Sequence, residues 1–108
     1  MATTKKTKSQ QMKNIEKEIV WYRIRKPIAE AMRKCGQLGF EVSGHGCGFG
    51  GEDFSLLNKR KDLYVNFCDR GNSCKVTVST CDTTNDDGYP IELISGTIGK
   101  AMKFIEGR

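Results

Sequence analysis

DLYVNFCDRGNSCKVTVST, residues 62–80, decides how this 108-residue chain folds. Its first half alternates Leu63, Val65 and Phe67 with Tyr64, Asn66 and Cys68. Its second alternates Cys74, Val76 and Val78 with Lys75, Thr77 and Ser79. A period of two marks a strand with one buried face, and the polar link between the halves makes the pair a hairpin. Parity selects the register. A five-residue loop over 69–73 would set Val76 against Asn66 and mix the two faces. A four-residue loop, Asp69-Arg70-Gly71-Asn72, pairs Phe67 with Cys74, Val65 with Val76 and Leu63 with Val78. Only that arrangement keeps every apolar residue on one side. It turns Cys74 inward, and Cys68 and Cys81 outward.

A sheet with one apolar face needs a cover, and helices on both flanks of the hairpin are expected to supply it. Downstream, PIELISGTIGKAMKF spaces Ile91, Ile94, Ile98, Ala101, Met102 and Ile105 at helical intervals after the turn residues NDDG. This predicts a helix over about 91–106, weakened by Gly96 and Gly99. Upstream, Ile28, Ala31, Met32 and Cys35 share a helical face that starts at Pro27 and stops at Gly36 or Gly39. Phe40 and Val42 open a strand, and DFSLLN reads as another, with Lys59-Arg60-Lys61 as a turn. EIVWYRIR, residues 18–25, is two-sided. Its β-branched and aromatic residues favour a strand, while the run from NIEKE favours a helix. Ile15, Ile19 and Tyr22 fall nearly opposite Ile24, Ile28 and Met32 in helical phase, which rules out one straight helix and tips the reading to a strand. The expected fold is α+β: a two-layer sandwich with a mainly antiparallel sheet of three to five strands and two helices on one face. The α-β-β-β-α order is similar to that of double-stranded-RNA-binding domains. Their basic, glycine-started final helix is not matched by PIELISGTIGKAMKF, so no RNA-binding residue is carried over.

At this length one core, hence one domain, is expected. Residues 1–13 carry Lys5, Lys6, Lys8 and Lys13 and no acid, while 14–108 hold 14 basic and 13 acidic side chains. The reading is a disordered basic tail over 1–13 and a nearly neutral domain over 14–108. No apolar run reaches membrane-spanning length, and no leader-type segment follows the basic start, so a cytoplasmic protein is expected. Five cysteines, at 35, 47, 68, 74 and 81, form no CxxC pair. They read as reduced thiols.

GHGCGFGGED, residues 44–53, concentrates five glycines and the only histidine. Gly46-Cys47-Gly48-Phe49-Gly50-Gly51 fits G-x-G-x-x-G, but Glu52 and Asp53 stand where a phosphate would sit, and a strand rather than a helix follows. His45 and Cys47 are competent metal ligands without a matching second pair. On one strand they stand roughly 7 Å apart, too far for a Cys–His nucleophile. No cofactor, metal or catalytic group is therefore expected, and the chain reads as a non-enzyme. The alternation instead places Gly44, Gly46, Gly48 and Gly50 on the face begun by Phe40 and Val42, a strand side kept bare for the chain's own helix. A reversal at Gly50-Gly51 makes the segment a glycine-rich hairpin.

Positive charge gathers at Arg23, Arg25, Lys26, Arg33 and Lys34 beside Trp21, with the lysines of the tail upstream. Basic groups with an adjacent aromatic suit nucleic acid. Asp82, Asp86, Asp87 and Glu92 form an acidic opposite end. The function expected is a small binding module engaging nucleic acid or a nucleic-acid-bearing complex. The alternatives are a protein-binding inhibitor or adaptor of phage or mobile-element type acting on a host system, and a nucleotide or small-ligand binder at the glycine hairpin.

Overall fold

The structure, a computed structural model, describes residues 7–48 and 51–108, leaving aside the side chains of residues 47 and 48. In chain order the elements are α1 (Lys8–Trp21), α2 (Lys26–Gln37), β1 (Glu41–Gly48), β2 (Gly51–Asn58), β3 (Leu63–Asp69), β4 (Cys74–Thr84), β5 (Pro90–Gly96) and α3 (Ile98–Glu106). The five strands form one antiparallel meander in the order β1-β2-β3-β4-β5. One face of the sheet is covered by helices and the other is open, which is the α+β two-layer sandwich expected. The cover has three helices rather than two.

The β3–β4 hairpin provides the centre of the core. Leu63, Val65 and Phe67 are fully buried with Val76 and Val78, beside Leu56 and Phe54 of β2. Each such side chain contributes roughly 1.5–3 kcal/mol by leaving water. The faces are as the alternation predicts, but the register lies two residues further on. Phe67 pairs with Val76, Val65 with Val78 and Asp69 with Cys74. A two-residue slip preserves the faces, so hydrophobic patterning alone does not distinguish the two registers. The choice is made by Asp69. Its carboxylate accepts the Gly71 N–H at 2.9 Å, and Arg70 N–H reaches Ser73 O at 2.9 Å, closing the turn over 70–73.

Two helix assignments change. Residues 18–21 are helical, not extended, and α1 starts at Lys8 with Thr7 as its cap, the hydroxyl accepting Gln10 N–H at 3.1 Å. Residues 8–13 therefore belong to a helix where the charge pattern suggested a disordered tail. Lys5 and Lys6 lie outside the described residues. Ile15 and Ile19 anchor α1 in the core, and Met12 lies against Gly36 of α2. The phase change between Ile19 and Ile24 is real, but it marks a break between two helices. Tyr22 caps α1, Arg23 takes a left-handed backbone at φ 50°, and α2 begins with its own apolar face of Ile28, Ala31, Met32 and Cys35.

At the other end, residues 90–96 are strand β5, and the helix is confined to 98–106. Pairing with the long β4 overrides the helical spacing of Ile91 and Ile94. Thr97 then caps α3, accepting Lys100 N–H at 3.2 Å. Gly96 thus ends a strand, and Gly99 faces open space rather than a close neighbour. α1 lies over β1, and α3 over β4 and β5. α2 buries six residues in the same core between them.

Gly51 is where the sheet tolerates no side chain. A Cβ there would overlap the backbone carbonyl of Asp69, which has no freedom to move aside. Gly51→Ala is expected to destabilise the fold by about 2–3 kcal/mol, read as a fall in the thermal midpoint by circular dichroism.

Candidate functional site

The glycine-rich segment is placed by one extra residue. β1 and β2 pair Val42 with Leu56 and then Gly44 with Ser55, leaving Ser43 as a bulge. A bulge reverses the inward–outward alternation. Val42 and Phe40 face the helices as expected, but beyond Ser43 the faces exchange. His45, opposite Phe54, turns to the helical side, and Gly44 and Gly46 turn to the open face. The expectation that the glycines face the chain's own helix is thereby corrected. A Cβ at either position would meet nothing within 4 Å.

His45 is held on three sides. Its ring stacks on Tyr22, the α1 cap, at 3.8 Å between centroids and 12° between planes. Phe54 is tilted against it at 5.2 Å, and Nε2 lies 3.2 Å from Glu52 Oε2. These contacts tie β1 to the end of α1. The side chain of Cys47, together with Phe49 and Gly50, lies outside the described residues, and Gly48 pairs with Gly51.

The open face carries an ordered polar row that the sequence reading passed over. Gly44, Ser55, Asn66, Thr77 and Ser95 are successive partners across all five strands. Tyr64 Oη donates to Ser55 Oγ at 2.6 Å, Ser55 Oγ donates to Asn66 Oδ1 at 2.8 Å, and Asn66 Nδ2 reaches Asp53 Oδ1 at 3.4 Å. Gly44, Gly46, Asp53, Ser55, Tyr64 and Asn66, with Ser43, His45 and Thr77, line a concavity of about 600 Å³ on this face. The outward half of the strand alternation (Tyr64, Asn66, Thr77) was the available signal. Its link to Gly44 depends on the bulge.

The basic residues divide into committed and free groups. Arg25 Nε donates to both carboxylate oxygens of Asp69, at 3.0 and 3.1 Å, and its Nη2 reaches Ser73 O at 3.2 Å. Arg33 clasps Glu16 of α1 at 2.5 and 3.1 Å. Both arginines join elements together. Hydrogen bonding from Arg25 holds Asp69 below the usual carboxylate range, and that from Arg33 does the same for Glu16. Lys8, Lys13, Arg23, Lys26 and Lys34 are exposed, as are Lys17, Lys100 and Lys103, which the sequence reading did not single out. Trp21 is 80% exposed and Val20 75%. They border a groove of about 740 Å³ between α1 and β1, which Val42, Asn14 and Lys17 also line.

Among the described residues, Asp62, Cys81 and Asp82 bring three possible metal ligands within 4.8 Å. Asp62, at φ 55°, is already occupied. Its Oδ1 accepts backbone N–H groups from Cys81, Asp82 and Thr83 at 3.0, 2.5 and 3.2 Å. These bonds pin the irregular stretch of β4, where Thr80 Oγ1 also accepts Ile91 N–H at 2.9 Å. Of the described thiols, burial pushes Cys35 up to about 12 and Cys74 up to about 11. Both are poor nucleophiles near neutral pH.

Hydrogen bonds from Thr83 and Asp82 hold the Asp62 carboxyl far below its ordinary value. Its contribution to stability is complete above the unfolded-state pKa of about 3.9 and is lost as pH falls towards the folded-state value. Denaturant midpoints are expected to be level from pH 7 to about pH 5 and to drop below about pH 4. Asp62→Asn should lower the neutral plateau and make the acid drop shallower. An unchanged acid limb would remove Asp62 from this role. A thiol reagent at about pH 8 should leave Cys35 and Cys74 unmodified in the folded chain and modify them on unfolding.

No protein family matches the chain, and comparison with curated proteins and with solved structures finds no match either.

Proposed function

We propose that the chain is a non-enzymatic binding module that engages an anionic macromolecule, a nucleic acid in the first place, through the outer surface of its helical layer. The observation that carries this reading is the partition of charge between the two layers. Residues 7–37 and 97–108, which build the helices, hold eleven basic and four acidic side chains. Residues 38–96, which build the sheet, hold five basic and nine acidic. Arg25 and Arg33 leave the interface because their charges are paired. Lys13 and Lys17 of α1, Lys26 and Lys34 of α2, and Lys100 and Lys103 of α3 replace them as exposed cations on one layer. A polarised surface of this kind steers a polyanion to the helices and away from the sheet. Trp21, exposed at the end of α1, offers a face on which an unpaired base stacks.

The test is fluorescence anisotropy with labelled single-stranded and duplex oligonucleotides over a range of salt. Affinity is expected to fall linearly on log–log axes, with a slope of about −0.7 per neutralised phosphate for a single strand. Charge reversal at Lys26, Lys34 and Lys100 together should abolish binding. Trp21→Ala should weaken single-strand binding about tenfold or more. Salt-insensitive binding, or none at low salt, overturns the reading.

A second reading is favoured by a separate observation, the exposure of Val20 and Trp21 beside the groove against β1. Large exposed apolar groups next to a recess are characteristic of protein contacts. Here the chain would act as an inhibitor or adaptor on a host protein. Trp21→Ser should then abolish a stoichiometric complex that the triple charge reversal leaves intact.

A further inference from the structure

Gly44 and Gly46 serve no purpose that the fold itself explains. Neither is among the glycines with positive φ, so any residue fits their backbone. Neither approaches another part of the chain, since a Cβ at either position meets nothing within 4 Å. Glycine within a strand is nevertheless unfavourable by roughly 0.5–1 kcal/mol relative to alanine. Two such positions, both turned to the open face by the Ser43 bulge, leave the β1 wall of the 600 Å³ concavity without a side chain at 44 and 46.

We infer that this concavity is a binding site for a neutral ring bearing vicinal hydroxyl groups. The bare Gly44–Gly46 backbone gives the flat face of a ring a surface to lie on. Beside it, Asn66 Nδ2 and the Asp53 carboxylate lie next to each other, a donor adjacent to an acceptor. A hydroxyl both donates and accepts, and a vicinal pair meets that arrangement with one group on each partner. The Tyr64-to-Ser55-to-Asn66 relay sets the Asn66 amide before any ligand arrives: its Oδ1 is taken by Ser55, so its Nδ2 is the end presented. Among the described lining residues Asp53 brings the one carboxylate, and the ring of His45, which also borders the concavity, is stacked against Tyr22. A carboxylate with accepting capacity left over repels phosphate and carboxylate ligands and accepts well from hydroxyls. The chemistry is shared by free sugars and by the ribose of a nucleoside, and the test separates them. The inference involves no residue of the helical layer and stands apart from the proposal made for that layer.

The experiment is an amide chemical-shift titration of the isotopically labelled full chain. The probes are glucose, mannose, galactose, N-acetylglucosamine, ribose and adenosine, each against a counterpart lacking one hydroxyl. At least one probe is expected to move the Gly44, Gly46, Ser55 and Asn66 signals saturably, with a Kd of about a millimolar. Its deoxy counterpart should bind at least about tenfold more weakly. A sugar response without adenosine binding identifies a saccharide site, and the reverse identifies a nucleoside site. Gly46→Val should abolish the response while leaving the thermal midpoint level or raised, since the added side chain enters open space. Asp53→Asn, at an outward-facing position, should weaken binding about tenfold. No saturable shift from any probe, or a response that survives both substitutions, overturns the inference.

Discussion

Burial on one side only is the constraint from which the rest of this molecule follows. The alternation in β3 and β4 sends Leu63, Val65, Phe67, Val76 and Val78 to the same side of the sheet, where all are removed from water. Hydrophobic burial is the principal source of folding free energy, so every amphipathic segment competes for that side. α1, α2 and α3 all bring their apolar stripes there, and Ile15, Ile28, Met32, Cys35 and Ile105 join the same core. Among the described residues no helix is left for the other face. Its composition is therefore free of the packing problem, and it carries small hydroxyl and amide side chains in a row from Gly44 to Ser95.

The same constraint sorts the charge. A helix laid on a sheet points its polar side away from the sheet, so the exposed lysines of three helices share one surface although they are far apart in sequence. The two arginine clasps have a different role. Arg33–Glu16 sets α1 against α2, and Arg25–Asp69 ties the start of α2 to the β3–β4 turn. Solvent-screened pairs of this kind contribute little to stability. Their value is geometric: they fix where the helical layer sits on the sheet. Asp62 acts alike within the sheet, where three N–H groups of β4 converge on one carboxylate.

What the sequence reveals of this fold is what periodicity reveals. The two central strands, their faces, the α2 stripe and the two-layer arrangement are legible because burial imposes periods of 2 and 3.6 on the chain. The hairpin register is legible only to within two residues, since Phe67 opposite Cys74 and Phe67 opposite Val76 bury the same set. Residues 91–94 mislead for a related reason. Ile91 and Ile94 satisfy a helical interval, yet β4 offers them backbone partners that local pattern does not register. Residues 18–21 mislead through propensity: Ile19, Val20 and Trp21 favour strands, and the packing of Ile15 and Ile19 overrides that preference. The phase break between Ile19 and Ile24 was informative all along, and its meaning was a junction between helices. Lys17, Lys100 and Lys103 were not singled out because they are clustered by the fold rather than by the chain.

The candidate site turns on a single inserted residue. With no bulge at Ser43, Gly44 and Gly46 would lie under Tyr22 and the end of α1, and their lack of side chains would be a matter of packing. His45 would then face water. With the bulge, His45 fills the space beneath Tyr22 and the glycines are delivered to the open face, beside Asp53 and Asn66. One residue thus decides whether the glycines meet the chain's own helix or the open face, and composition does not reveal which applies. The decisive point is that the exposed glycines are conformationally ordinary. Neither backbone angle nor close packing requires glycine at either position, so a side chain could be placed there without a clash.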